Sequence, residues 1–160
     1  MTVDPEFKAL IPPLSEDEYR GLEASIVAEG CRDALVVWGD ILIDGHNRYE
    51  ICQRHGIEYR TVGKEFEGRH EARIWIFDNQ LGRRNLTDAW KAELALGRKA
   101  DLLEIGKATQ GERTDLLSLN DKRLEPGHNT QKEIADSIGM STGKLAQAEY
   151  VKERAPEVWE

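Results

Sequence analysis

Residues 34–56 read ALVVWGDILIDGHNRYEICQRHG, and this stretch decides the fold. Two apolar runs, rich in β-branched residues, lie on either side of the turn pair Gly39-Asp40, which predicts a β-hairpin. Asp44 and Gly45 then interrupt the apolar pattern, and helical spacing follows until a stop signal at Gly56. A strand that leads through a glycine turn into a helix directs free backbone N–H groups at one point. The stretch therefore predicts an α/β unit with an anion-binding turn.

The flanking segments extend this unit on both sides. Ser15 and Glu18 form a capping-box pattern that predicts a helix ending at Gly30. After the hairpin and its helix, residues 57–62 are typical of a third strand. Residues 70–77 fit a further helix, although their last four residues, Ile-Trp-Ile-Phe, could equally form a strand.

Polar and helical segments alternate in the second half. Thr87 is the predicted cap of a long helix that runs to about Ile105. The next residues are polar and aperiodic, and such long loops are uncommon inside one compact unit. We therefore predict an α+β chain with an α/β domain, a connecting helix, a linker or mobile loop, and a helical domain. These segments are 1–85, 86–105, 106–129 and 130–160.

The last segment has the pattern of a helix-turn-helix. Thr130 and Glu133 form a second capping box, Gly139 ends that helix, and Ser141 caps the next one. Small or apolar residues stand at the positions where the two helices must touch. These are Ile134, Ala135, Ile138, Met140 and Leu145. An ordinary helical hairpin would show much of the same pattern and stays open as an alternative.

If the motif binds DNA, its second helix enters the major groove with the N-terminal end first. A lysine there can bind phosphate or guanine, a glutamine can pair with adenine, and hydroxyls can bind the backbone. The candidate DNA-binding residues are Gln131, Lys132, Ser141, Thr142, Lys144 and Gln147. Four later carboxylates could face solvent away from the duplex, but they predict weak, salt-sensitive binding by an isolated monomer. They are Glu149, Glu153, Glu157 and Glu160.

The composition and charge of the chain exclude several classes of protein. The 160 residues carry 22 basic and 30 acidic side chains, for a net charge of −8, and residues 1–44 hold ten of the acids but only three bases. Such a chain should not coat DNA nonspecifically. It has neither an apolar run of membrane-spanning length nor a signal sequence, so we expect a cytoplasmic protein without membrane contacts. Cys31 and Cys52 lack metal-site or disulfide-framework spacing and are interpreted as reduced thiols.

In order and spacing, these features resemble the ParB family of partition proteins. The resemblance rests on Glu29-Gly30, on residues 43–49, on Asp78-Asn79 and on the helix-turn-helix, and it covers about residues 7–158. It implies an N-terminal domain with the fold of sulfiredoxin that binds CTP and Mg²⁺, and a helix-turn-helix that recognises a specific double-stranded DNA site. It also implies a homodimer, a partition or replication partner protein, and association with a nucleoid or plasmid.

The resemblance implies a nucleotide site as well. The family's Gly-Glu-Arg-Arg-x-Arg-Ala phosphate motif matches this chain at its glycine and at Arg48, so Gly45, His46, Asn47 and Arg48 become candidate nucleotide ligands. Its second motif, Glu-Asn-x-Gln-Arg, aligns with Asp78, Asn79 and then Arg83 or Arg84. By analogy Asp78 would assist hydrolysis, Asn79 would hold the Mg²⁺-bound triphosphate, and the arginines would bind phosphate.

Each nucleotide motif can also be interpreted as a structural feature that binds no nucleotide. The first could be a plain strand-to-helix turn, with Asn47 as the helix cap and Arg48 in a surface salt bridge. The second could be a helix-terminal Asp78 cap followed by exposed arginines.

The leading hypothesis is a ParB-like, sequence-specific DNA-binding protein for plasmid or chromosome partition or mobile-element regulation, gated by CTP. It would be at most a slow CTPase or NTPase. The alternative is a nucleotide-dependent enzyme on the same scaffold, a small-molecule kinase or NTPase, with Glu29 or Asp78 as base. A regulatory interaction protein that binds neither ligand is a third reading. Sulfiredoxin activity is not expected, because His46 replaces the nucleophilic cysteine. The apolar pattern of residues 155–160 is typical of a helix start, so we expect the natural chain to continue.

Overall fold

The computed structural model describes residues 1–82, 86–109 and 130–154. Their elements in chain order are β1 (Thr2–Val3), α1 (Pro5–Ala9), α2 (Glu16–Glu29), β2 (Leu35–Trp38), β3 (Ile41–Asp44), α3 (His46–His55), β4 (Thr61–Gly63), α4 (Arg69–Leu81), α5 (Asp88–Thr109), α6 (Thr130–Ser137) and α7 (Thr142–Arg154). The chain forms two compact units, Met1–Ile76 and Phe77–Glu160, here called the first and second units. The predicted α+β class is confirmed. Among the described residues, no helix combines the length and apolarity needed to cross a bilayer.

The sheet of the first unit is built around the predicted hairpin. Its strand order is β1-β3-β2-β4, with β2 and β3 antiparallel and with Val37 opposite Leu42. The outer strands each add in parallel, β1 beside β3 and β4 beside β2. The third predicted strand therefore exists, at Thr61–Gly63. β1 and the short helix α1 were not predicted, although Asp4 before Pro5 is a helix-start signal, with the Glu6 N–H donating to the Asp4 carboxylate at 2.9 Å.

Two apolar clusters lie in the first unit. One gathers Phe7, Ile43 and Ile76 with Ala72, against Trp38, Phe66 and Trp75 at its margin. The second joins Ile26 of α2 to Ile51 and Cys52 of α3. Residues 70–77 therefore belong to a helix, α4, which places Ala72 and Ile76 one turn apart on the buried face.

The capping residues and glycines that were predicted to begin or end helices do so in the structure. The Ser15 hydroxyl accepts from the Glu18 N–H while the Glu18 carboxylate accepts from the Ser15 N–H, a complete capping box. Gly30 and Gly56 close α2 and α3 with positive φ angles of 80° and 64°. The start of α3 differs from the prediction, because the helix begins at His46 with Gly45 as its N-cap. The alternative in which Asn47 caps this helix is therefore wrong.

The second unit packs three helices on one apolar cluster. Its buried members are Ala92, Ala95 and Leu96 of α5, Ile134, Ala135 and Ile138 beside or on α6, and Leu145 of α7. Thr87 caps α5 as predicted, since its hydroxyl accepts from the Trp90 N–H at 3.2 Å. The helix runs to Thr109, four residues into the segment predicted as a linker, and 110–129 lie outside the described residues. The predicted domain boundaries stay predictions, whereas the compact units divide after Ile76.

Candidate nucleic-acid interface and anion-binding turn

Helices α6 and α7 are joined by a tight glycine turn. The Met140 N–H donates to the Ala135 carbonyl at 2.9 Å, and Gly139 takes a φ of 67° that favours glycine. Ser141 then starts α7, because its hydroxyl accepts from the Lys144 N–H at 3.3 Å. The sequence signals for the end of α6 and the start of α7 are both confirmed.

The two faces of α7 differ in character. Leu145 is fully buried in the cluster with α5 and α6, and Ala148 packs against that cluster. The side chains predicted to face DNA lie on the exposed surface at the N-terminal half of α7; they are Ser141, Thr142, Lys144 and Gln147. On α6, Lys132 is exposed and Gln131 is half-buried. The packing therefore leaves one end of α7 open to solvent with hydroxyl, ammonium and amide groups.

Glu149, one of the four carboxylates expected to oppose DNA binding, is directed toward α5. Its carboxylate accepts from the Lys99 ammonium of α5 at 2.8 Å. A second pair on the same two helices joins Lys152 to Glu93 at 2.6 Å. A lysine fifty residues earlier in the chain therefore neutralises Glu149, and the weak, salt-sensitive binding expected of a monomer stays a prediction. The Glu153 side chain, Glu157 and Glu160 lie outside what the structure describes.

Tyr150 was missed by the sequence reasoning. It is 57% exposed, and the Arg154 guanidinium lies 4.9 Å from its ring centre in a cation–π contact. Tyr150 follows Gln147 by three residues, so both side chains lie on one face of α7. That spacing was the signal by which it could have been found. The exposed face thus adds an aromatic ring and an arginine to the predicted residues.

The turn before α3 requires a glycine for two reasons. Gly45 has a φ of 94°, in the left-handed region, and no side chain caps the helix. A β-carbon placed on Gly45 would lie 2.6 Å from Cδ2 of Leu35 and 3.0 Å from Nη2 of Arg48. The helix start is therefore a bare backbone turn, which is the kind of position where an anion can meet free N–H groups.

Arg48 is held in this turn by two carboxylates. Its Nη2 donates to Asp44 at 3.0 Å and its Nη1 to Asp33 at 3.4 Å. The Arg48 side chain is 21% exposed and that of Asp44 is 11% exposed, whereas Asp33 lies largely in solvent. The salt bridge in the structural alternative exists, but it is partly buried rather than a surface pair. A phosphate would have to compete with these carboxylates for Arg48.

His46 is buried beside this turn. It is 6% exposed, and neither ring nitrogen has a hydrogen-bond partner among the described residues. Burial lowers the pKa of His46, while the nearby carboxylate of Asp44 opposes that effect. The imidazole is therefore neutral near pH 7. Asn47 is half-buried. The prediction that these two side chains bind a nucleotide stays a prediction.

The second nucleotide motif lies in the second unit, whereas Gly45–Arg48 lies in the first. Asp78 and Asn79 are exposed on α4, and the Asp78 carboxylate accepts from Nε of Arg98 at 2.6 Å. Asp78 lies inside α4, which continues to Leu81, so it does not cap a helix end. Its carboxylate is paired with α5 instead. Arg83 and Arg84 fall outside the described residues. Within 1–82, 86–109 and 130–154, no three His, Cys, Asp or Glu side chains are grouped so that they could hold a metal ion.

Two solved structures of a pNOB8-like ParB N-domain are similar to this chain. One matches with a TM-score of 0.65 at 18% identity and the other with 0.61 at 21% identity. They cover 98% and 97% of this chain, which in turn spans 67% and 62% of theirs. No protein-family model matches the sequence, and a comparison with curated proteins finds no match. The chain therefore has the fold of a ParB N-domain, as its motifs had indicated.

Proposed function

We propose that this chain, with the fold of a ParB N-domain, is a ParB-like sequence-specific DNA-binding protein of plasmid or chromosome partition or of mobile-element regulation. The observation that carries the proposal is the asymmetry of α7. One face is buried on α5 and α6, and the other presents Thr142, Lys144 and Gln147 to solvent. The positive end of the helix dipole adds to the Lys144 charge at the same end.

Charge pairing supports this orientation. Lys99 neutralises Glu149, so that carboxylate lies against α5 and adds little repulsion toward a phosphate backbone. One short helix makes few base contacts, so we infer that a second copy of the chain binds the adjoining half-site. Half-sites one turn of DNA apart lie about 34 Å from centre to centre. Binding to double-stranded DNA would also place the protein on a nucleoid or plasmid.

A DNA-binding measurement tests the proposal. A binding site is first selected from a random duplex pool, and its affinity is then measured by fluorescence anisotropy across a salt series. The Lys144→Ala variant should lower the slope of log affinity against log salt by about one. The Gln147→Ala variant should lose about 1–3 kcal/mol of discrimination at one base pair.

Lys107 provides the matched control, because it is an exposed lysine of the second unit whose ion pair among the described residues is a local one, with Glu104 at 2.7 Å. The Lys107→Ala variant should keep the wild-type slope. If no sequence is enriched at about 50 mM salt, or if Lys107→Ala and Lys144→Ala weaken binding equally, the proposal is wrong.

A second candidate property is nucleotide gating at the turn before α3. We infer that the N–H groups after Gly45 and the guanidinium of Arg48 bind the triphosphate of CTP, with Mg²⁺ carried by the nucleotide. The left-handed, uncapped Gly45 supports this inference. Arg48 would exchange Asp33 and Asp44 for phosphate oxygens, which makes the net gain small and the affinity modest.

Calorimetry with CTP and with ATP tests the gating. The Arg48→Ala variant should lose binding, whereas Asp33→Asn should bind more tightly, because it removes the solvent-exposed competitor for Arg48. Arg54 is the control, an exposed arginine on the same helix that pairs with Glu23 and Glu50. Equal CTP binding by wild type and Arg48→Ala would contradict the assignment.

The kinase or NTPase alternative depends on Glu29 or Asp78 as a base. Both carboxylates are ion-paired, Glu29 with Arg32 at 3.0 Å and Asp78 with Arg98 at 2.6 Å. A substrate would have to compete with these guanidinium groups for either carboxylate. DNA binding is therefore the function that the geometry supports better, and any CTPase step at Asp78 stays a prediction.

A further inference from the structure

The two cysteines of the chain meet in the first unit. Cys52 of α3 is buried, 1% exposed, within the cluster that it forms with Ile26 and Ile51. Cys31, two residues after the end of α2, is half-buried and packs against that same cluster. Both are free thiols. The fold therefore brings into one apolar cluster two sulfur atoms that are twenty-one residues apart in the sequence.

The two thiols differ in reactivity. Burial, together with a hydrogen bond to Cys31, raises the pKa of Cys52 to about 11. Cys52 therefore remains protonated and shielded at neutral pH. The Cys31 thiol is closer to solvent and donates to the Asp33 carbonyl at 3.4 Å. An oxidant would meet Cys31 first, with Cys52 in place as the resolving thiol.

We propose that Cys31 and Cys52 form a reversible intramolecular disulfide on reaction with a low-molecular-weight disulfide such as oxidised glutathione. Cys31 loses its proton to solvent, and its thiolate attacks one glutathione sulfur, so the glutathione S–S bond breaks and one glutathione leaves as a thiolate that takes up a proton. Cys52 then attacks Cys31 Sγ, and its proton passes to the second glutathione as that leaves. Two protein thiols are oxidised, and one glutathione disulfide is reduced to two thiols.

The pair is connected to the turn before α3. Cys52 lies one helical turn after Arg48, and the Cys31 thiol holds the backbone of Asp33, whose carboxylate binds Arg48. Disulfide formation removes the Cys31 S–H group that donates to the Asp33 carbonyl. The loss of this hydrogen bond alters the ion pair between Asp33 and Arg48. An effect on nucleotide affinity rests on the proposed function, whereas formation of the disulfide does not.

Thiol counting on the full chain tests the proposal. The protein is equilibrated with glutathione buffers of increasing oxidised fraction, quenched with acid, unfolded, alkylated with N-ethylmaleimide and weighed by mass spectrometry. The wild type should pass from two alkylated cysteines to none, with a mass two hydrogens lower. It should remain monomeric on a non-reducing gel, and excess reduced glutathione should restore both thiols.

The Cys31→Ser variant is the informative control, because the half-buried position tolerates a hydroxyl. Its Cys52 should stay free and be alkylated only after unfolding. Two stable glutathione adducts, disulfide-linked dimers, or two free thiols in the most oxidising buffer would each overturn the proposal. CTP calorimetry on the oxidised and reduced forms is read separately, so a failure of nucleotide binding leaves the thiol result intact.

Discussion

Replacing Gly45 with alanine should destabilise the first unit by about 2–5 kcal/mol. Gly45 has a φ of 94°, and the left-handed region costs other residues about 1–2 kcal/mol. The new β-carbon would also lie 2.6 Å from Cδ2 of Leu35, and such overpacking costs about 1–3 kcal/mol. Leu35 is fully buried, so its side chain cannot move into solvent to relieve the contact.

Gly56→Ala separates the two contributions. Gly56 is also left-handed, with a φ of 64°, but among the described residues nothing lies within 4 Å of a β-carbon built there, so only the backbone cost of about 1–2 kcal/mol applies. Urea unfolding gives both free energies. The tryptophans report on the transition, and hydrogen exchange of the β3 amides checks that the first unit is the part that unfolds. The excess of Gly45→Ala over Gly56→Ala measures the Leu35 contact.

A double-mutant cycle can refute this reasoning. Leu35→Ala alone should cost about 2–5 kcal/mol through the cavity that it leaves. In that background the added β-carbon has room, so the Gly45→Ala penalty should fall to the value for Gly56→Ala. The steric account fails if the two glycine variants cost the same in the wild type, or if the Gly45→Ala penalty is unchanged by Leu35→Ala.

Two further predictions concern helix glycines and a histidine. Within α5, Gly97→Ala should destabilise the second unit by about 1–3 kcal/mol, since its β-carbon would lie 2.6 Å from Cζ of buried Phe77. A β-carbon on Gly106 would meet no described atom within 4 Å, so Gly106→Ala should stabilise the unit by about 0.5–1 kcal/mol. The thermal midpoints of the Gly97→Ala and Gly106→Ala variants should therefore shift in opposite directions, and equal shifts would contradict the packing at Gly97. Because burial lowers the pKa of His46 below the ordinary histidine value of about 6.5, the unfolded chain takes up a proton at this residue before the folded chain does. Stability is full above about pH 6.5 and declines as the pH falls toward the folded-state pKa. His46→Gln should flatten that decline in urea midpoints between pH 7 and 5, and an unchanged decline would contradict the assignment.

Elements with short-range signals could be predicted from the sequence. The Ser15–Glu18 capping box, the Gly39-Asp40 turn and the left-handed glycines at Gly56 and Gly139 act within a few residues. The hairpin, α2, α5 and the α6–α7 pair follow from them. The candidate DNA-facing residues could also be predicted from the sequence, because the buried position of Leu145 sets which side of α7 remains exposed.

Other features depend on partners distant in the sequence. β1 is two residues long and exists through parallel pairing with β3, a contact that no local pattern encodes. The strand predicted at 57–62 lies instead at Thr61–Gly63, because parallel pairing with β2 sets its position. Glu149 loses its repulsive character only because Lys99, fifty residues away, lies beside it. His46 was predicted as a nucleotide ligand at the glycine turn, and the sequence did not indicate that α3 begins at this residue or that its ring is buried.

The sequence by itself determined the order and type of the main helices and strands, the glycine turn before α3 and the polar face of α7, because capping, periodicity and turn chemistry act over a few residues. Only the tertiary structure decided which charges are neutralised, which polar groups leave water and which side chains meet. Arg48 between Asp33 and Asp44, and Cys31 beside Cys52, are of this second kind. Burial and ion pairing depend on how elements pack, and packing joins residues that the chain keeps far apart.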